Sequence, residues 1–171
     1  MSRAASKAIG ERLEEIVVDA ADELQEATVP ESFDGAAEDY WYDAQPDVAL
    51  FANDDVPMVG ICVIEPGQPV EIKAARTTIS NGTRSRCGRF YLTRRQHEQL
   101  IEQDGVYLFA IYVDEDDDGD PELLGLLAIP AVIVEEELRN TWYEVDGRSD
   151  YYQLSADRLP IDGLGGDSGA E

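Results

Sequence analysis

The sequence predicts an α/β or α+β domain: a mixed β-sheet flanked by helices, in the order αβββαβ, with further strands added at the C-terminal end. Three observations carry this. Residues 4–26 place Ile9, Leu13, Ile16, Val17, Ala20 and Leu24 on one stripe at helical spacing. Three short apolar runs separated by turn residues follow, and a second helix signal then leads into a strongly apolar strand. With 171 residues, 43% of them apolar, the chain is long enough for one core, so residues 1–160 are expected to form a single domain.

The elements follow in order. Residues 29–45 are mixed and turn-rich, with a short strand around Tyr40, Trp41 and Tyr42. Strands are predicted over 48–51, 58–64 and 70–75. Asp54-Asp55 divide the first two, and Pro66-Gly67-Gln68-Pro69 turns between the last two. Residues 76–88 are polar, with a turn signal at Asn81-Gly82, and read as a loop. Residues 89–92 are extended. Thr93 and Gln96 then form a capping box that opens a helix over 94–103, which Gly105 ends. Residues 106–113 and 123–134 are apolar strands, and 141–154 reads as a hairpin turning at Asp146-Gly147. Residues 161–171, rich in Gly, Ser and Asp, are expected to be a disordered tail.

Charge is distributed unevenly. The net charge is -24, with 37 acidic residues, yet the 23 positions from Lys73 to Arg95 hold seven Lys or Arg and no acid. Such a window leaves room for an anion. Arg76, Arg84, Arg86, Arg89, Arg94 and Arg95 are therefore the candidate phosphate-binding residues, since the arginine fork matches phosphate oxygens. Arg94 and Arg95 open a helix, where cations oppose the dipole, and this points to an anion docking at that terminus. The plainer alternative is that these arginines neutralise the protein's own acids. The chain has only two lysines, Lys7 and Lys73, against eleven arginines. An acidic, lysine-poor surface is the halophilic type, which stays hydrated in concentrated salt. The Debye length there is about 3 Å at 1 M, so an anion must be gripped by direct contact rather than steered from afar.

Chemistry concentrates upstream of that window. Asp47 stands before a predicted strand, and Glu71 and Lys73 leave the same face of another. Two carboxylates can hold Mg2+ (or Mn2+), and a neighbouring ammonium can orient water and stabilise developing negative charge. A chain that otherwise uses arginine keeps a lysine here, although Glu-x-Lys is also a common triplet.

Pro46-Asp47 followed by Glu71-Ile72-Lys73 resembles the PD-(D/E)xK nuclease superfamily, whose fold is restriction-endonuclease-like. Residues 88–112 (GRFYLTRRQHEQLIEQDGVYLFAIY) resemble the equivalent part of archaeal Holliday-junction resolvases, and Gly10-Glu11-Arg12-Leu13-Glu14 resembles their first helix. The likeness spans roughly residues 7–113. It implies a Mg-dependent DNA endonuclease, acting as a homodimer on branched or structured DNA. Asp47 and Glu71 would be metal ligands, Lys73 the catalytic lysine, Glu14 a further acid and Gln96 an orienting residue. Glu14 lies roughly 110° from the centre of the helix stripe, nearer than Glu11 or Glu15. It also reads as an ordinary solvated acid, and Gln96 as half of the capping box. The 24 positions from Asp47 to Glu71 exceed a tight hairpin, so Asp54 and Asp55 are alternative metal acids.

Other readings stay open. A non-catalytic DNA-binding protein of the same fold, or an acidic protein-interaction module, accommodates the same composition. The run at 114–119 (DEDDDG) starts like a calcium loop but has Gly125 at the twelfth position, and reads as a solvated loop. His97 is expected to pack rather than react, and Trp142, Tyr143, Tyr151 and Tyr152 to contribute to the core. Cys62 and Cys87 lack a metal-binding spacing and are expected to be free thiols. No signal peptide or long apolar run is visible, so the expectation is a cytoplasmic protein with no membrane partner.

Overall fold

The computed structural model describes residues 3–35, 40–51, 58–60, 63–81, 84–113, 121–138, 142–144, 146 and 149–159. Asp54, Asp55, Cys62, the acidic run 114–119 and the tail 161–171 lie outside the described residues. So do Gly82 and Gly147, the second residues of the two expected turns.

Helix α1 (Arg3–Ala20) buries Leu13 and Val17, with Ala21 continuing the row just past its end. It ends at Ala20 rather than at residue 26. Leu24 keeps the helical spacing but opens strand β1 (Leu24–Glu26), which pairs with β2 (Ala44–Pro46). Both readings bury Leu24, so periodicity alone does not separate them. The strand expected at 48–51 is only β3 (Leu50–Phe51). Within the one expected at 58–64, the described residues form β4 (Met58–Gly60) and β5 (Val63–Ile64), and β5 pairs with β3. Gly60 has φ +95°, and a Cβ there would stand 2.2 Å from the Ala128 carbonyl oxygen, so glycine is required where β4 meets the sheet.

Next come β6 (Val70–Arg76), β7 (Thr78–Asn81), β8 (Arg84–Cys87), β9 (Arg89–Thr93) and α2 (Arg94–Glu102). The segment read as a loop is thus a two-stranded hairpin, β7 with β8. Its residues are mostly polar, so no apolar alternation marks it. Strands β10 (Val106–Val113) and β11 (Glu122–Pro130) follow, then α3 (Ala131–Leu138) and β12 (Tyr151–Ser155). The apolar run 123–134 changes from strand to helix after Pro130, and Ala131, Val134 and Leu138 turn one buried face inward. In place of a simple hairpin over 141–154, Tyr143 makes a single bridge to Tyr151 and β12 pairs with β9.

The predicted mixed sheet is present, with six strands in the order β1-β2-β6-β10-β11-β4. Strands β6 and β10 run parallel, as do β11 and β4, and the other neighbours are antiparallel. Val17 and Ala21 cover one face, against Leu24, Val70, Ile72, Leu108 and Ala110. Leu100 of α2, Val134 and Leu138 of α3, and Phe90 and Leu92 of β9 cover the other, against Tyr107 and Phe109. Covered on both sides, β10 is apolar along its length, and large side chains such as Leu108 and Phe109 each contribute about 1.5–3 kcal/mol by full burial. Among the described residues, no helix is long and apolar enough to cross a membrane.

Candidate functional site

The site forms where β2 leaves β6. These strands are antiparallel, with Ala44 opposite Val70, so each step back along β2 is a step forward along β6. Asp43 therefore falls beside Glu71, whereas Asp47 falls beside Gly67, at the other end. The Asp43 N–H donates to the Val70 carbonyl at 2.9 Å, and the Ile72 N–H donates to Asp43 Oδ2 at 2.7 Å. The carboxylate thus takes the place of a continuing β2 backbone along the edge of β6.

Beyond Asp43 the edge of β6 opens into a cleft of about 1370 Å³, lined along its length by residues 72–76. Helix α1 contributes Glu11, Glu14 and Glu15 to it. Glu14 is half-buried while Glu11 and Glu15 are exposed, as the helical stripe orders them. Gln96 and Arg95 of α2, and Arg89 and Tyr91 of β9, line the opposite side. Gly88 makes that approach possible. A Cβ there would lie 2.1 Å from the Arg76 carbonyl oxygen, and the Gly88 N–H donates to that oxygen at 3.1 Å.

Glu71 is fully buried and Lys73 partly so, and the Lys73 ammonium donates to Glu71 Oε1. The second oxygen, Oε2, is buried without a hydrogen-bond partner. Leaving such an acceptor unpaired costs about 1–3 kcal/mol. Burial first, and then the Asp43 charge, raise the Glu71 carboxyl well above the ordinary range; Lys73 opposes them and Glu14 adds to them. Burial disfavours the Lys73 ammonium, but Glu71, Asp43 and Glu14 outweigh it and raise that pKa. Three acids thus act electrostatically on one lysine at the cleft. Among the described residues no three His, Cys, Asp or Glu side chains form a ready-made metal cage. Mg2+ is commonly held by one or two carboxylates and several waters, so the Asp43 and Glu71 oxygens, one of them unsatisfied, fit such a cation.

Of the expected residues, the structure brings Glu71, Lys73, Glu14 and Gln96 to one region and leaves Asp47 outside it. Asp47 is exposed, its Oδ2 accepts from Gln25 Nε2 at 2.9 Å, and it does not line the cleft. Counted along the strand, it sits about 13 Å from the position of Asp43. Asp43 was missed because its signal is register rather than a dipeptide. It directly precedes the strand that pairs beside Glu71.

Arg76, Arg86, Arg89 and Arg95 line the cleft. Arg84 is placed on β8 by its backbone alone. Arg94 turns away to Glu98 at 2.8 Å and Asp150 at 3.5 Å. At the helix terminus expected to dock an anion, two backbone donors have partners within the chain: the Arg94 N–H donates to the Asp150 carbonyl at 2.8 Å and the Arg95 N–H to Ser149 Oγ at 3.5 Å. The expected capping box also differs. The Thr93 hydroxyl donates to Gln96 Oε1 at 2.6 Å rather than capping the backbone, and Gln96 Nε2 donates to the Tyr40 carbonyl at 2.8 Å. Gln96 thereby ties α2 to the segment that carries Asp43. His97 is buried between Tyr107 and Glu135, at 3.0 and 2.8 Å, and burial lowers its pKa, so it packs as expected.

No curated protein and no solved structure matches the chain. A family model described as a PD-(D/E)XK nuclease superfamily domain matches residues 1–159. That span contains the whole cleft, with Glu71 and Lys73 in the spacing of the family's name. The chain belongs to the PD-(D/E)XK nuclease superfamily.

Proposed function

We propose that this protein is a Mg2+-dependent (or Mn2+-dependent) endodeoxyribonuclease in which Asp43 and Glu71 hold the cation, with Glu14 beside them. The observation that carries this is the buried Glu71 Oε2, which has no hydrogen-bond partner and lies behind Asp43 and Lys73, the two neighbours that line the cleft. A divalent cation on these oxygens supplies a Lewis acid and an activated water for phosphodiester hydrolysis. Lys73, a cationic donor two residues beyond Glu71, orients the attacking water and stabilises charge developing on the phosphate. Arg76, Arg86, Arg89 and Arg95 grip the DNA backbone, with Arg84 as a fifth candidate. Gln96 keeps the Asp43 segment in place through Tyr40.

The resemblance of residues 88–112 to archaeal Holliday-junction resolvases favours branched or structured DNA as substrate and a homodimer as the acting form. Residues 1–160, which contain the whole cleft, are read as one domain. The acidic, lysine-poor composition favours a halophilic working environment. The test is incubation with linear, nicked and four-way DNA at salt on the order of 1–3 M, with Mg2+ and with chelator. Cleavage of four-way DNA in Mg2+ alone is expected. DNA binding with no cleavage of any substrate would instead support the non-catalytic reading.

A further inference from the structure

Strands β9 and β12 form a two-stranded antiparallel ladder with two unlike faces. Phe90, Leu92, Tyr152 and Leu154 point into the core. The alternate positions point outward: Arg89, Tyr91 and Thr93 from β9, Tyr151 and Gln153 from β12. Tyr91 stacks on Tyr151 with ring centres 4.9 Å apart and planes 18° apart, and Tyr143 stands on the other side of Tyr151 at 5.4 Å. The two end rings are open to solvent, Tyr91 at 42% exposure and Tyr143 at 57%. Tyr143 also stacks on the buried Tyr152 at 6.5 Å, which anchors that end of the row, while Tyr91 and Tyr143 still present ring surface that the core does not cover.

We propose that this outer face is a stacking platform for unpaired DNA nucleotides, which it leads into the cleft; the inference rests on the nuclease reading for the identity of the nucleic acid. Two independent observations select this occupant. The first is continuity: Tyr91 and Arg89 belong to the ladder and also line the cleft, so the platform and the Lys73 site share one wall. The second is charge. In a chain with 37 acids, neither β9 nor β12 contains an Asp or Glu. Arg89 instead lies beside Tyr91, its Nη1 donating to Gln153 Oε1 at 3.0 Å. Aromatic rings interleaved with arginine and amide groups serve single strands, because every base offers a π-face and the backbone needs a cation. A duplex hides its base faces and gains only from the arginines. Among branched DNAs, the platform therefore favours those that present unpaired nucleotides beside the scissile bond, at a flap or at a junction whose central pairs part.

The test is fluorescence anisotropy with a labelled single strand of about 12 nucleotides and a blunt duplex of equal length, both in chelator so that no cleavage intervenes. Tyr91→Ala is expected to weaken single-strand binding about tenfold, and the duplex by less than about twofold. Tyr143→Ala is expected to show the same selectivity, and Tyr91→Phe to bind like wild type because the ring is kept. Both positions are exposed, and thermal melts verify that the variants fold. Equal losses on both ligands, or no loss on the single strand, would overturn the platform. So would an unchanged single-strand affinity accompanied by a lower oligomeric state in sedimentation, which would make this face a contact between copies. Absence of Mg2+-dependent cleavage by wild type, with the selective binding losses intact, would overturn the nuclease reading and leave the platform standing.

Discussion

Asp43→Asn is expected to lower Mg2+-dependent cleavage roughly a thousandfold, and Asp47→Asn by less than about twofold. The contrast follows from register. Asp43 is held beside Glu71 by the Ile72 N–H, whereas Asp47 lies past the far end of the β2–β6 pairing and bonds Gln25. A divalent cation contributes several kcal/mol of charge stabilisation, and each 1.36 kcal/mol is tenfold in rate, which sets the size of the effect. Asparagine keeps the shape of Asp43 and removes its charge, so folding should survive. Steady-state cleavage assays of the two purified variants decide the matter. A large loss in Asp47→Asn with little in Asp43→Asn would reverse the assignment.

Lys73→Ala is expected to reduce the cleavage rate by about 10²–10³-fold, with DNA affinity within about threefold of wild type. Affinity is spared because the cleft retains Arg76, Arg86, Arg89 and Arg95. A second consequence comes from burial. Glu71 is fully buried and Lys73 is its ion-pair partner, so the single variant leaves a buried carboxylate uncompensated. Breaking a buried pair costs about 3–5 kcal/mol, and partial exposure of Lys73 reduces this to about 1–3 kcal/mol. The double variant Glu71→Gln/Lys73→Met removes both charges and should regain most of that stability while remaining inactive. Urea denaturation alongside single-turnover cleavage separates the two effects. Undiminished cleavage by folded Lys73→Ala would end the catalytic assignment.

Some of this site was readable from the residues and some was not, for physical reasons. Glu71 and Lys73 lie within one seven-residue strand, where a period of two fixes their common face without knowledge of neighbours. Helix α1 and strand β10 announce themselves by long apolar patterns. Asp43 precedes a strand of only three residues, preceded by Tyr40, Trp41 and Tyr42, and its importance depends on a pairing with β6 that is non-local. Pro46-Asp47 satisfied the motif by letter, but strand direction carries it the wrong way. Arg94 and Arg95 look equivalent in sequence, yet neighbours on a helix point about 100° apart, and only Arg95 lines the cleft. The β7–β8 hairpin, built largely of polar residues, gave no periodic signal at all.

The most direct measurement is anomalous diffraction from crystals grown with Mn2+, for wild type and for Asp43→Asn. The wild-type map should show a single strong peak within reach of the Asp43 and Glu71 carboxylates, absent from the variant. A peak on Asp47, or none within reach of Glu71 at saturating Mn2+, would contradict a cation site at the edge of β6.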